Sequence, residues 1–135
     1  MFTKAIAASL KAHWPAYKIY TEEVKQYLDG PCFVIQEISG DHTANLGTSR
    51  TLRYQYAVYF YGKDEKLLRE TASQMGTELC FALDEIAYMG SLYRNTGMAF
   101  QMVDHALLFT VGYACRYRLE VEQERMETLQ HEVAF

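Results

Sequence analysis

Two long stretches of alternating residues constrain the fold of this chain most strongly. Within residues 51–61, apolar side chains occupy every second position from Leu52 to Phe60, and residues 107–121 repeat this pattern over a longer span. Successive side chains of a β-strand point to opposite faces, so a period of two is typical of a strand with one buried face. The sequence therefore predicts two long strands, with 107–121 at the centre of a sheet.

Two helices are predicted beside these strands. The first helix lies at the N-terminal end and is ended by Pro15. Its apolar face is formed by residues spaced three and four apart, which are Phe2, Ala5, Ile6, Leu10 and His13. In the second, Asp64 is the predicted N-cap, and the inward-facing stripe consists of Leu68, Ala72, Met75, Leu79, Ala82 and Ile86.

Shorter segments complete the predicted elements. Residues 17–20 and 32–38 are expected to be strands, and 32–38 is apolar on both faces, so both of its sides should be covered. Residues 40–49 are small, polar and without periodicity, which predicts a loop. Met89-Gly90 and Asn95-Thr96-Gly97 bracket the short segment 91–94, and a further strand is expected over 98–103, so a hairpin is predicted here, followed by a turn at Asp104-His105.

This order of elements predicts an α+β fold with a mixed, mostly antiparallel β-sheet and two α-helices packed on it. Residues 1–122 form one domain in this interpretation. Residues 123–135 are rich in charge and poor in apolar side chains, so they are expected to be a tail that becomes ordered only on a partner.

Composition excludes several classes of protein. The chain has 135 residues, of which 50% are hydrophobic, a composition too apolar for a disordered protein. Its formal net charge of −4 disfavours a protein whose main partner is a nucleic-acid duplex. Three widely spaced cysteines indicate neither a disulfide framework nor a zinc ribbon, and fit a reducing cytoplasm. No stretch reaches the roughly 20 apolar residues of a membrane helix, and the N-terminus lacks a signal sequence, so a soluble mature protein is expected.

Candidate catalytic residues are few. The four histidines are scattered, and no glycine-rich phosphate loop or nucleophile elbow is present in the sequence. We therefore predict no catalytic residue, no metal and no cofactor. Tyrosines and arginines on the strand faces, Arg53, Tyr59, Arg116 and Arg118, instead suggest a surface for subunit packing. The predicted loop, with Arg50 and Arg53 at its root, is a second candidate contact.

Three stretches of the sequence, taken in order, resemble one protein family. Residues 18–35 read KIYTEEVKQ, then GPCFVI, and are similar to the signature K-I-Y-x-E-x-V-x-Q followed by P-C-F-x-[VI] of tail terminator proteins from tailed phages and prophages of Gram-positive bacteria. The aromatic strand 54–61 and the stretch 103–113 resemble two further segments of that family. Tyr27-Leu28 stands where the family has Gly-Phe.

The resemblance implies a structural, non-enzymatic subunit in the virion tail, assembled in the host bacterial cytoplasm. It implies a homo-oligomeric ring, expected to be a hexamer, on the head-proximal end of the tail tube, where it ends tube growth. Its partners would be the tail tube protein and a head–tail connector or stopper protein, with DNA passing through the lumen unbound and no membrane contact. The candidate interface residues are Tyr20, Glu22, Glu23, Tyr27, Asp41, His42, Arg50, Arg53, Tyr59, Arg116 and Arg118.

Two alternatives remain open from the sequence. One is a connector or stopper ring, which would occupy the adjacent position in the same particle. The other belongs to a different class, a small cytoplasmic enzyme that pairs Cys32 or Cys115 with a histidine.

Overall fold

The computed structural model describes residues 1–21, 31–62, 69–103 and 106–119. The predicted N-cap Asp64, the predicted turn at 104–105 and the predicted tail 123–135 lie outside these residues. The described elements are α1 (Thr3–His13), β1 (Lys18–Tyr20), β2 (Cys32–Ala44), β3 (Ser49–Tyr61), α2 (Arg69–Ala82), β4 (Glu85–Tyr88), β5 (Ser91–Val103) and β6 (Ala106–Arg118).

The described strands form one sheet in the order β1-β2-β3-β6-β5-β4. The β1–β2 pair is parallel, and the other four pairs are antiparallel. The long strand β6 lies between β3 and β5, as predicted for a central strand, so a neighbouring strand pairs with the backbone groups on each of its edges. The α+β class expected from the sequence therefore fits broadly, with a mixed sheet accounting for most of the ordered structure.

The core brings both helices and the sheet together. Phe2 at the start of α1 is fully buried, and its backbone N–H donates to Tyr56 Oη of β3 at 2.8 Å. Leu79 of α2 and Phe109 of β6 belong to the same buried cluster. His13 is exposed rather than on the buried face of α1, since its ring nitrogen instead bonds Ser9 O at 2.9 Å.

The prediction of a loop over residues 40–49 is wrong. Strand β2 continues to Ala44, and β3 begins at Ser49, so only a short turn separates the two strands. Gly47 has φ +65° in this turn, and Asn45 N–H donates to Ser49 O at 2.9 Å. Residues 40–44 are exposed on both faces, and a strand of that kind shows no apolar alternation because backbone pairing alone forms it.

The predicted positions around the second helix also need correction. The helix ends at Ala82, and Ile86 is buried in β4 rather than on the helix stripe. Of the two positions that bracket the predicted hairpin segment, Met89-Gly90 is the tight turn, since both residues have positive φ (52° and 81°), the pattern of a type I′ hairpin turn. Asn95-Thr96-Gly97 is a bulge within continuous β5, not a turn.

Two bulges lie at the same level of the sheet. One interrupts β2 between Glu37 and Ser39, and the other interrupts β5 between Asn95 and Gly97. A bulge bends its strand and increases the local twist. Beyond this level, residues 39–44 of β2, 49–55 of β3 and 113–118 of β6 form a three-stranded extension, which we call the arm.

Candidate interface surface

The arm gathers four of the predicted interface residues on one face. Asp41 of β2 lies opposite Arg53 of β3, which lies opposite Ala114 of β6. Because directly opposite residues share a face and the period along a strand is two, Arg116 and Arg118 lie on this face as well. We call this set of Asp41, Arg53, Arg116 and Arg118 the arginine face.

Positive charge dominates the arginine face. Arg53 Nη1 lies 3.8 Å from Asp41 Oδ1 and 3.4 Å from Thr43 Oγ1, with both charged side chains about half exposed. Arg116 and Arg118 are exposed and form no ion pair with any residue in the described segments. Exposed ion pairs of this kind contribute little stability, so these arginines are free to contact another molecule. The face is thus locally basic on a chain whose formal net charge is −4.

Polar contacts hold the end of the arm in place. Asn45 Nδ2 donates to Thr51 Oγ1 at 2.8 Å, and Thr51 is only 2% exposed. Arg50 points to the other face, where its guanidinium donates to Gly47 O at 2.9 Å and to Ser49 O at 2.8 Å. Arg50 therefore stabilises the turn, although the sequence suggested it as a contact residue.

The opposite face of the arm carries an aromatic pair. Tyr117 Oη lies 2.7 Å from His42 Nε2, and the two rings are parallel within 6° with centroids 5.8 Å apart. Cys115 lies on the same face, where its sulfur is 3.8 Å from Tyr93 Oη. The hydrogen bond between this sulfur and the Tyr93 hydroxyl is the main reason that the pKa of Tyr93 is raised. His42 thus pairs with a tyrosine across β3, and Cys115 with another tyrosine.

The remaining predicted interface residues lie elsewhere. Tyr20 is opposite Val34, which is opposite Tyr59, so the two tyrosines share one row near the other end of the sheet. The Tyr59 ring stacks with that of Tyr61 at 6.5 Å. Three further candidates, Glu22, Glu23 and Tyr27, lie outside the described residues.

Sequence reasoning missed a group of exposed apolar residues. Ile38, at the bulge of β2, is 56% exposed, and Phe100 and Met102 of β5 are exposed by more than a third. Between β5 and β6, a groove of about 190 Å³ is lined by Ala99, Phe100, Gln101, Leu108 and Thr110. The signal in the sequence was that residues 98–103 are apolar or neutral at nearly every position, without alternation.

The described residues contain no group of three side chains suited to hold a metal ion, and none of their helices could span a membrane. Burial raises the pKa of the Cys80 thiol, which favours the unreactive protonated form.

The chain is similar to one protein family and to a solved structure. No curated protein matches the chain. A solved structure with 18% sequence identity aligns over 90% of this chain and 93% of that chain, with a TM-score of 0.46. Residues 1–125 match the family model described as phage tail terminator protein, which confirms the resemblance to tail terminators but does not concern the bacterial host. The chain therefore belongs to a family of phage tail terminator proteins, which are structural components of the virion tail.

Proposed function

We propose that this protein closes as a ring, expected to have six subunits, on the head-proximal end of the tail tube. There it ends tube polymerisation and offers a surface to the head or the connector, while DNA passes through its lumen without specific binding. The observation that carries this proposal is the family match over residues 1–125, which includes every described element.

The arm supports the proposal because it is shaped for contact. It extends past the bulges and is held by pairing among three strands, so its exposed groups are displayed on a rigid support. The arginine face offers planar donor groups that suit carboxylates on an adjoining chain. We assign the arginine face to contact with an acidic partner surface in the assembled tail.

Disruption of the gene in the encoding phage or prophage tests this function. We expect tails of uncontrolled length that lack heads, and we expect a plasmid copy of the wild-type gene to restore both length and heads. Electron microscopy of negatively stained particles measures the length distribution and the fraction of tails joined to heads. Tails of normal length that lack heads would favour the connector or stopper alternative. Normal, head-joined tails would refute both functions.

A further inference from the structure

Two long strand edges are free in the described part of the chain. Strand β1 pairs with β2 only at residues 32–34, and β4 pairs with β5 only at residues 91–94. Among the described residues, no strand lies beside residues 35–44 of β2 or residues 95–103 of β5. The two free edges are thus nearly equal in length and lie on opposite sides of the sheet. Each presents a row of backbone N–H and C=O groups without a strand partner.

The two edges carry few of the features that usually prevent strand addition. Natural proteins protect open edges with lysine, proline or inward-pointing charge. Residues 35–44 and 95–103 contain no lysine, arginine or proline, and 95–103 contains no charge at all. Each edge carries one bulge, which is a partial safeguard. Both edges instead expose large apolar side chains, Ile38 on β2 and Phe100 and Met102 on β5. Such edges are typical of strands that pair with another chain.

The strand directions show how a second copy would fit. β3 is antiparallel to β2, β6 is antiparallel to β3, and β5 is antiparallel to β6, so β5 runs opposite to β2. When two copies stand side by side in the same orientation, β5 of one therefore meets β2 of the next in the antiparallel sense. This continues the alternation of the four central strands from one copy into the next.

The position of the two edges along the strands sets an offset between copies. The free edge of β2 begins at residue 35 and continues into the arm, whereas the free edge of β5 ends at Val103, at the other end of the sheet. Val103 lies in the same row as Cys32, because Val103 pairs with Ala106, Ala106 with Tyr61, and Tyr61 with Cys32. Adjacent copies must therefore be displaced along the strand direction to align both free edges. Strands in a closed barrel are tilted and staggered in this way.

We propose that the free edge of β2 pairs with the free edge of β5 of a second copy of this chain, so that the sheet continues across the subunit boundary. Ile38 of one copy then covers the exposed apolar surface near Phe100 and Met102 of the next. The contact is heterologous and leaves one free edge at each end, so only closure into a ring satisfies every edge. The inference rests on the proposed ring and identifies the surfaces that build it.

Two lysine substitutions test the proposal, each with a matched control. Ile38→Lys places a charge on the β2 edge, and Leu46→Lys places the same charge on the 95% exposed turn of the same hairpin. Met102→Lys blocks the β5 edge, and Leu92→Lys alters the part of β5 that β4 already covers. We expect the two edge variants to remain monomers of 15.6 kDa and the two controls to assemble like the wild type.

Mixing the two edge variants gives a sharper result. The Ile38→Lys chain keeps its β5 edge, and the Met102→Lys chain keeps its β2 edge, so an equimolar mixture should form heterodimers of twice the monomer mass and nothing larger. Native mass spectrometry measures these species, alone and after incubation with purified tail tubes. Circular dichroism melts confirm that each variant is folded.

The outcomes separate this inference from the proposed function. If wild-type rings form and either edge variant also forms them, the edge pairing is refuted while the ring stands. A mixture of folded edge variants that gives no heterodimer refutes the pairing as well. A wild type that stays monomeric both in solution and on tube ends refutes the ring itself, whatever the variants do.

Discussion

The hydroxyl of Tyr113 joins the end of α2 to the middle of the sheet. Tyr113 lies in the central strand β6 and is fully buried, and its hydroxyl donates to the carbonyl oxygen of Leu83, immediately after α2. Its ring centroid lies 5.7 Å from that of Phe2 in the core. Replacement by phenylalanine removes one oxygen atom and keeps the ring packing, so it isolates the contribution of this hydrogen bond.

The expected cost follows from the acceptor that is left behind. In the Tyr113→Phe variant, the carbonyl of Leu83 loses its side-chain donor in a buried site, and an unsatisfied buried acceptor costs about 1–3 kcal/mol. For a chain of this length, 1 kcal/mol corresponds to roughly 3–5 °C in the melting temperature. We therefore expect the midpoint to fall by about 3–15 °C, with no change in assembly at temperatures where the variant is folded.

Thermal melts followed by circular dichroism measure this effect against a matched control. Tyr117→Phe removes another hydroxyl from the same strand, but this one bonds His42 on the surface, where water can replace it. Its expected cost is within about 0.5 kcal/mol, typical of exposed substitutions. A Tyr113→Phe protein as stable as the wild type, or a Tyr117→Phe protein that loses as much stability, would refute the assignment of a buried structural bond.

Three further outcomes are expected. Gly76→Ala should destabilise the protein by about 1 kcal/mol in urea unfolding, because the new Cβ would lie 2.4–2.6 Å from ring carbons of Phe100. The cost of overpacking, about 1–3 kcal/mol, is expected to exceed the gain in helix propensity of about 1 kcal/mol. Unchanged or increased stability would show that the Phe100 ring moves aside freely. Arg53→Glu should abolish control of tail length while the melting temperature stays within a few degrees of the wild type. Arg69→Glu on α2 makes the same change of charge away from the arm and serves as the control. Normal tail lengths with Arg53→Glu would exclude the arginine face as a contact. Burial raises the pKa of Tyr56 from 10.0 to about 12, so the folded state holds the hydroxyl proton more tightly than the unfolded state. The stability that Tyr56 contributes in this way should be complete below pH 10 and decline as the pH rises toward 12. A Tyr56→Phe variant whose stability declines as steeply at alkaline pH would show that Tyr56 is not the source of the decline.

Some elements were determined by the sequence itself because one of their faces is apolar. Alternation identified β3 and β6 to within a few residues at each end, and it placed Arg53 and Tyr59 together on the face opposite to Tyr56 and Val58. The spacing of three and four identified α1 and most of α2. In these segments burial depends on the local pattern, so the pattern is sufficient to predict the element.

Other features depended on tertiary pairing, which leaves little local signal. Residues 40–44 form a strand only because β3 pairs with their backbone groups. Ile86 does not belong to the apolar stripe of the second helix, because α2 ends at Ala82 and the chain continues into β4. The arginine face depends on the register that sets Arg53 opposite Ala114, more than sixty residues away. Which strand edges remain free is likewise a property of the whole sheet, since it depends on where each neighbouring strand begins and ends.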